Sequence, residues 1–545
     1  MLKTEAQHNV EAEQLKQAFN LVMVSVAQRI PQSLSAKEIA TFAPIIPHVS
    51  EAGTALQDWI GDDDLIYSFV GLSRFYQSQS HYRDAEIWLE RCLRATEGRF
   101  GNGHHQVATS FNNLALLYST QGRYDQAESY CWQSLQILEQ LFGGEHKDIA
   151  TGFNVLAEIY ARQGRHAEAE QFSQHSLQMR HQLLGDNDTL TWTNLNNLAA
   201  IHYAQGNYTQ AESSYMQALE QLQQAADGRE SNIADVLDNL GNLYEAQGRY
   251  EEAETFMGTA LQMRLDLFGN DHHDVAISLN NLAALFYAQA RYSKAEPLWQ
   301  RSLDIKEQIL GAQHNEVALT LCNLGSLYDA LGNYGQAADY YERALAIREQ
   351  VLGADHPDIA TSLNNLAACY CHQEHYDQAE HLWQRSLAIR QRTQGMEHPD
   401  VATTLSNLAY LYDHQKQPQK AEEYYLQSLD IKRRLLGSEH PDVALTLHNL
   451  SYLYRYQGRF GEAMALCQQA LQIRQERLSP NHPNIAETIE HLATLYFHLK
   501  RFAEIEALLV QALEIRQISG GDEHPDTIKT RDTLAMLRQR LPSLM

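Results

Sequence analysis

Residues 359–395 read IATSLNNLAACYCHQEHYDQAEHLWQRSLAIRQRTQG, and this stretch determines the fold. In its first half Leu366, Ala367 and Tyr370 belong to an apolar stripe with the i, i+3, i+4, i+7 spacing of an amphipathic helix. After the polar QEHY turn a second stripe, which includes Trp383, predicts a second helix. The stretch therefore predicts two antiparallel helices, here named helix A and helix B.

The same text recurs every 42 residues along nearly the whole chain. A leucine marks each copy of helix A: Leu72, Leu114, Leu156, Leu198, Leu240, Leu282, Leu324, Leu366, Leu408, Leu450 and Leu492. The next residue is always Ala, Gly or Ser, which predicts a close helix contact. Eleven ungapped copies predict an all-α solenoid in which each unit buries its apolar face against its neighbours. We number the repeats 1 to 11 by these leucines.

The order of Leu, a small residue, an aromatic residue and then Ala in helix B is the tetratricopeptide pattern. The 42-residue unit, with phrases such as HPDIATSLNNLAACY, YERALAIREQVLG and HPDVALTLHNLSYLY, resembles the repeats of kinesin light chains and their bacterial relatives. The resemblance implies a right-handed superhelix of antiparallel helix pairs with a groove that binds cargo-type peptides. It departs from eukaryotic light chains before residue 66, where they carry a long coiled coil and this chain has Pro31, Pro44 and Pro47. This departure argues against a role as a motor subunit.

The repeat grid predicts three parts. Residues 1–65 form an N-terminal helical cap region, residues 66–525 hold the eleven tandem units, and residues 526–545 form a C-terminal capping helix. The last segment repeats the helix A pattern, with Leu534 on the grid and no helix B after it. A polar half-repeat of this kind closes the open end of a stack.

The composition narrows the classes of partner. A net charge of −26 opposes binding to nucleic acid and to anionic membranes. The N-terminus lacks the basic stretch of a secretory signal, and the apolar run at residues 21–30 is too short to span a bilayer. Six scattered cysteines without metal-ligand spacing are typical of a reducing compartment. We therefore expect a cytoplasmic protein that binds a protein or peptide; the sequence leaves its oligomeric state open.

No motif argues for catalysis, a cofactor or a metal. The chain has no phosphate-binding loop, nucleophile elbow, HExxH or CxxC sequence, so we expect a protein that is not an enzyme. A histidine, often as His-Pro-Asp, begins most copies of helix A. Because stacking spaces these histidines along one edge, we interpret them as helix starts rather than as metal ligands. Basic residues near the ends of helices B are likewise interpreted as helix-terminating charges.

Asparagine occupies the position before the fixed leucine in eight repeats, on a face of helix A away from the apolar stripe. The row comprises Asn113, Asn197, Asn239, Asn281, Asn323, Asn365, Asn407 and Asn449. Amide groups both donate and accept hydrogen bonds, so the row could hold the backbone of an extended peptide. The alternative is that each amide bonds the neighbouring repeat and is architectural. One amide can do both.

The same face varies along the chain. The middle repeats carry alanine, as at Ala204, Ala246 and Ala288, whereas repeats 9 and 10 carry larger side chains. These larger residues are Tyr410, His414, Tyr452, Arg455 and Tyr456. Aromatic and arginine side chains gathered on a groove indicate a specificity pocket, with chance enrichment as the alternative.

The sequence thus predicts a scaffold that binds an extended peptide or a partner domain in its concave groove. A second hypothesis makes it a sensor or regulatory subunit of a signalling assembly whose NTPase or protease lies on another chain.

Overall fold

The computed structural model describes residues 2–31, 34–185, 191–224 and 229–544, with the side chains of 2–10, 36 and 540–544 left out. The described residues form 26 α-helices and no strand. In chain order they are α1 Leu2–Gln28, α2 Ala36–Phe42, α3 Ile46–Gly53, α4 Leu65–Gln77, α5 Tyr82–Phe100, α6 His105–Thr120, α7 Tyr124–Phe142, α8 Lys147–Arg162, α9 His166–Leu184, α10 Thr191–Ala204, α11 Tyr208–Gln224, α12 Glu230–Ala246, α13 Tyr250–Phe268, α14 His273–Ala288, α15 Tyr292–Leu310, α16 Asn315–Ala330, α17 Tyr334–Val351, α18 Pro357–His372, α19 Tyr376–Gln394, α20 Pro399–His414, α21 Pro418–Leu436, α22 Pro441–Tyr456, α23 Phe460–Arg477, α24 Pro483–His498, α25 Phe502–Gly520 and α26 Pro525–Leu544.

From α4 onward the helices pack in consecutive antiparallel pairs, and each pair packs on the next. Even-numbered helices are helix A and odd-numbered helices are helix B of each repeat. The fixed leucine and the small residue after it are buried; Ala367, for example, is fully buried beside Leu366. The predicted all-α solenoid of helix pairs is confirmed. Ahead of it, α1 and α3 pack on α4 in an apolar cluster that includes Ile30 and Phe69. The division at residues 65 and 525 stays a prediction.

The basic residues near the ends of helices B do more than terminate them. Eight are buried: Arg180, Arg264, Lys306, Arg348, Arg390, Lys432, Arg474 and Arg516. Arg348, for example, donates from Nη1 to the Asp358 carbonyl at 3.0 Å and to Ser362 Oγ at 2.8 Å, both in the following repeat. These cations tie adjacent repeats together through polar groups at the start of the next helix A. A Ser or Thr fourteen residues after most of these cations is the sequence signal for this contact.

The histidines that begin helices A serve two elements at once. In His356 the ring Nδ1 accepts the Asp358 backbone N–H at 3.1 Å, which makes it an N-cap, as the helix-start interpretation expects. Its Nε2 lies 3.0 Å from the Thr120 carbonyl oxygen, 236 residues earlier. The neutral ring with its proton on Nε2 satisfies both bonds.

This second contact repeats along the chain and defines what we call the inter-turn seam. Four ring-to-carbonyl pairs have the same 236-residue separation: His314 with Ser78, His356 with Thr120, His398 with Arg162, and His440 with Ala204. His482 makes the fifth contact, with Ala246. Because 236 residues lie between five and six repeats, the solenoid completes a turn there and its second turn packs directly on its first.

Glycine at the turn between helices A and B permits this approach in repeats 2 to 5, whereas repeat 1 has Ser80 at the same position. A Cβ on Gly122 would lie 2.5 Å from Pro357 Cγ, and one on Gly164 would lie 2.5 Å from Pro399 Cδ. We call the A–B turns of repeats 1 to 5 the covered edge, and those of repeats 7 to 11 the open edge. At the open edge nothing lies within 4 Å of a Cβ built on Gly458, and Lys416 takes the same backbone conformation with φ of 59°.

Candidate peptide-binding surface

The seam gives the ends of helices A two different environments along the chain. Ala204 and Ala246 end helices A on the covered edge, where their carbonyl groups meet histidines of the second turn. The equivalent residues His414 and Tyr456 end helices A on the open edge and are exposed. The covered edge is not limited to small residues at this position, since Arg162 ends helix A of repeat 3 and its carbonyl meets His398 at 3.1 Å. The predicted pocket lies on the uncovered part of the molecule.

The asparagine row forms an inter-repeat ladder in four places. Asn407 Nδ2 donates to Asn364 Oδ1 in the preceding repeat at 2.7 Å. Equivalent bonds run from Asn197 to Asn154, from Asn239 to Asn196 and from Asn323 to Asn280, at 2.8 to 3.3 Å. Each donor lies 43 residues after its acceptor. The architectural alternative thus describes these four residues, although each amide retains a second N–H and its carbonyl oxygen.

The other members of the row differ. Asn365 Oδ1 accepts a long bond of 3.4 Å from the adjacent Asn364. Asn113 lines a cavity of about 270 Å³ together with Arg74, Gln77 and Thr120. For Asn281 and Asn449 no side-chain hydrogen bond to another described residue is present. All eight side chains are half-buried, so contact of the row with a peptide stays a prediction.

The five predicted pocket residues form two groups. On α20, Tyr410 packs against His414 with ring centroids 4.4 Å apart. On α22, the Arg455 guanidinium lies 4.4 Å above the Tyr456 ring and 5.3 Å from that of Tyr452. Tyr456 is 70% exposed and Tyr410 is 40% exposed, which leaves both rings accessible. Within the described part of the chain, no hydrogen bond or ring contact joins the two groups.

Tyr452 covers a pair of buried histidines that the sequence did not single out. Its ring stacks on His491 at 3.7 Å and 15°, and His448 meets His491 edge-on at 5.3 Å. The two histidines are 43 residues apart, so they occupy the two positions that Asn407 and Asn364 hold in the ladder. None of their four ring nitrogens has a hydrogen-bond partner among the described residues.

Burial sets the charge state near this pair. It lowers the pKa of His491 to about 3, with the neighbouring His448 contributing, so His491 is neutral at physiological pH. Glu487 Oε2 lies 3.6 Å from His448 Nε2 and 3.2 Å from Arg474 Nη1. Burial acts to raise the pKa of Glu487, but His448 and Arg474 together hold it at about 2. Glu487 therefore remains a carboxylate beneath the predicted pocket.

The surface is more acidic than the composition suggests. Because the eight buried cations lie between repeats, the accessible surface carries an excess of carboxylates larger than the net charge of −26 implies. Among the described residues, no group of three or more His, Cys, Asp or Glu side chains is arranged to hold a metal ion. No helix in the described ranges has the length and apolar character needed to cross a membrane.

A family model described as tetratricopeptide repeat matches the chain in ten overlapping segments. They are residues 64–140, 106–182, 148–224, 232–308, 274–350, 336–392, 358–434, 400–476, 442–504 and 484–541. The chain belongs to the tetratricopeptide-repeat family. Tetratricopeptide repeats generally mediate protein–protein interaction, which is the broad class of activity assigned to this chain.

Solved structures of similar sequence include BtubC (BKLC) from P. vanneervenii, which is 25% identical over 42% of this chain and 91% of that chain, with a TM-score of 0.35. Repeats of a putative kinesin light chain from Podospora anserina are 28% identical over 38% of this chain and 98% of that chain, with a TM-score of 0.32. A Rap protein complexed with competence and sporulation factor is 17% identical over 69% of this chain and 99% of that chain, with a TM-score of 0.46. No curated protein matches the chain. The tetratricopeptide chain is thus similar to kinesin light chain-like repeat proteins, as its 42-residue unit predicts.

Proposed function

We propose that this tetratricopeptide protein is a non-enzymatic scaffold that binds an extended peptide or a partner domain along the inner face of its helices A. The observation that carries the proposal is the exposure of Tyr410 and Tyr456, which are 40% and 70% exposed on the open edge. Exposed tyrosines next to arginine combine contact area with low conformational entropy and tend to dominate binding energy.

The asparagine row would supply contacts that do not depend on the ligand's side chains. In the ladder each donor amide uses one N–H toward the preceding repeat. The second N–H and the carbonyl oxygen remain for the backbone of an extended peptide. We assign the row this shared role and assign specificity to the five residues on α20 and α22.

The ligand class follows from charge. An acidic accessible surface favours a partner with basic segments and disfavours nucleic acid, whose phosphates it would repel. The six cysteines are free and buried, which fits the cytoplasm as the compartment that we propose.

The test uses the full-length protein as bait in its native lysate, followed by mass spectrometry. A Tyr410→Ala/Tyr456→Ala variant should lose the partners that the wild type captures, with affinity for a purified partner falling by about 2 kcal/mol. Leu426→Ala is the matched control, because Leu426 is 45% exposed on the helix B α21. Equal capture by wild type and the tyrosine variant, or equal loss in the Leu426 variant, would contradict the assignment.

A further inference from the structure

A cavity of about 420 Å³ lies where repeats 5 and 6 of the first turn face repeats 11 and 12 of the second turn, repeat 12 being the half-repeat α26. It is lined by Glu245, Ala246, Tyr250, Ala288, His482, Pro483, Asn484, Glu487, Arg516 and Asp526. A second cavity of about 200 Å³ adjoins it and shares Tyr250, Ala288, Pro483, Arg516 and Asp526. The two together are large enough for a side chain or a small amine.

The cavity lies where a sixth seam contact would be expected but is not made. His524 occupies the position of a sixth seam histidine, and its Nδ1 accepts the Asp526 N–H at 3.2 Å. Within the described chain, however, its Nε2 makes no bond to repeat 6. The facing turn carries Ala290 with φ of 53°, whereas the covered edge has Gly122 and Gly164, whose missing Cβ makes room for a proline. Ala290 distinguishes this turn from the four glycine turns, but a Cβ alone does not prevent the contact, because Ser80 has one where His314 contacts Ser78 at 3.2 Å.

One carboxylate in this cavity has no partner. Asp526 pairs with Arg516 at 3.0 Å and Glu487 pairs with Arg474 at 3.2 Å. The Glu245 carboxylate forms no hydrogen bond or ion pair with any other described residue. Burial alone raises the pKa of Glu245, and no neighbouring cation offsets it. A half-buried carboxylate without a counter-ion is costly, and a cation placed beside it would remove that cost.

Tyr250 lies beside this carboxylate in the cavity wall, and the charge of Glu245 also acts on Tyr203. Tyr250 lines the cavity, and burial together with the Glu245 charge raises its pKa to about 12. Burial, the Glu245 charge and the Asp442 charge together raise the pKa of Tyr203 to about 12. Aromatic faces beside a carboxylate suit an ammonium or guanidinium group, which is attracted by the ring quadrupole as well as by the charge.

We propose that this inter-turn cavity binds an organic cation, with Glu245 as its counter-ion and Tyr250 as its aromatic wall. The cation is an ammonium or guanidinium group. If it is a basic side chain of a peptide, the inference rests on the proposed function and places the anchor of that peptide between the turns. If the cation is a free amine, the site does not depend on the proposed peptide-binding function.

Isothermal titration calorimetry of the full-length protein tests the site with three probes: N-acetyl-arginine amide, its neutral analogue N-acetyl-citrulline amide, and spermidine. Glu245→Gln should weaken binding of the arginine probe about tenfold, and the citrulline probe should not bind the wild type. Asp413→Asn is the matched control. Asp413 occupies the position of Glu245 in helix A of repeat 9, where no second turn packs. The Asp413→Asn substitution removes the same negative charge as Glu245→Gln.

Tighter binding of the arginine probe than of spermidine identifies a basic side chain, and the reverse order identifies a free amine. Binding of the arginine probe should also weaken as the pH falls through the raised pKa of Glu245, because protonation removes the counter-ion. Equal affinity of wild type and Glu245→Gln, equal loss in Asp413→Asn, or binding of citrulline as tight as that of arginine would overturn the proposal. None of these outcomes depends on partner capture at Tyr410 and Tyr456, so the two proposals fail separately.

Discussion

At the scale of single residues, the pair His448 and His491 is informative because it interrupts the asparagine ladder. Four repeats join neighbours by an Asn–Asn bond, such as the 2.7 Å bond from Asn407 to Asn364. The last full repeat replaces this bond with His448 and His491, whose nitrogens have no hydrogen-bond partner among the described residues, although His448 Nε2 lies 3.6 Å from Glu487. A buried imidazole without a partner costs stability when neutral and more when charged.

Replacing both histidines with asparagine should reduce the acid sensitivity of the fold. The pKa of His491 is lowered to about 3 in the folded state from about 6.5 when unfolded, so the stability it contributes is full above about pH 6.5 and falls as the pH drops toward 3. Between about pH 7.5 and about pH 5 the wild type should lose about 2 kcal/mol more stability than His448→Asn/His491→Asn. Urea denaturation at both pH values measures the difference. Equal losses would show that His491 is not kept neutral by burial.

At the scale of the element, a turn between two helices has different requirements on the two edges. Gly164 and Gly458 both have positive φ, at 73° and 76°. A Cβ on Gly164 would lie 2.5 Å from Pro399 Cδ, whereas a Cβ on Gly458 would meet open space. An alanine would therefore be strained in its backbone at both positions, but it would clash with the second turn only at Gly164.

Gly164→Ala should therefore destabilise the protein more than Gly458→Ala. Both variants bear the cost of placing alanine in the left-handed region, about 1 kcal/mol, and only Gly164→Ala adds overpacking of roughly 1 to 3 kcal/mol against the second turn. Thermal unfolding of the two variants against the wild type measures the gap. The seam would not be a tight contact if both variants melted at the same temperature.

This contrast shows what the sequence can and cannot predict. The local pattern around Leu366 and Ala367 predicts each helix pair, because burial within a repeat depends only on adjacent units. The contact of His356 with Thr120 depends on the small rotation from one repeat to the next, summed over a whole turn, and no local pattern contains that sum. The sequence reflects this long-range contact only indirectly, in that the residue facing Pro357 is Gly122, which has no Cβ.

The candidate site divides in the same way. The face that carries Tyr410 and Tyr456 could be predicted from helical spacing, and its exposure follows from the open edge. The Glu245 cavity could not, because its walls come from two turns that are distant in sequence. The two roles of Asn407 could not be separated from sequence either, since a ladder amide and a peptide-binding amide have the same spacing.

At the scale of the whole molecule, five histidines connect two turns of the superhelix. Burial lowers the pKa of His314, His356, His398 and His440, and lowers that of His482 to about 4. Protonation at Nδ1 would remove the acceptor that caps the helix. Because these pKa values are depressed in the folded state, the seam is fully stabilised above about pH 6.5 and weakens as the pH falls toward 4.

Mild acid should therefore open the superhelix before it unfolds the helix pairs. Small-angle X-ray scattering should show a larger radius of gyration at about pH 5 than at about pH 7.5, while the far-ultraviolet circular dichroism stays helical. His356→Asn/His398→Asn retains an N-cap residue but is too short to bridge the turns, so this variant should be expanded already at neutral pH. A radius that stays constant until helicity is lost would contradict this role of the seam.

The seam also changes how such a chain must fold. In an ordinary repeat array each unit contacts only its neighbours, so folding can start anywhere and spread in one dimension. Here repeats 7 to 11 complete their contacts only on repeats 1 to 5, across loops of 236 residues. Closing such loops raises the contact order and delays the last step of folding until the N-terminal turn is formed. An array that is local in sequence thereby acquires the long-range cooperativity of a globular domain.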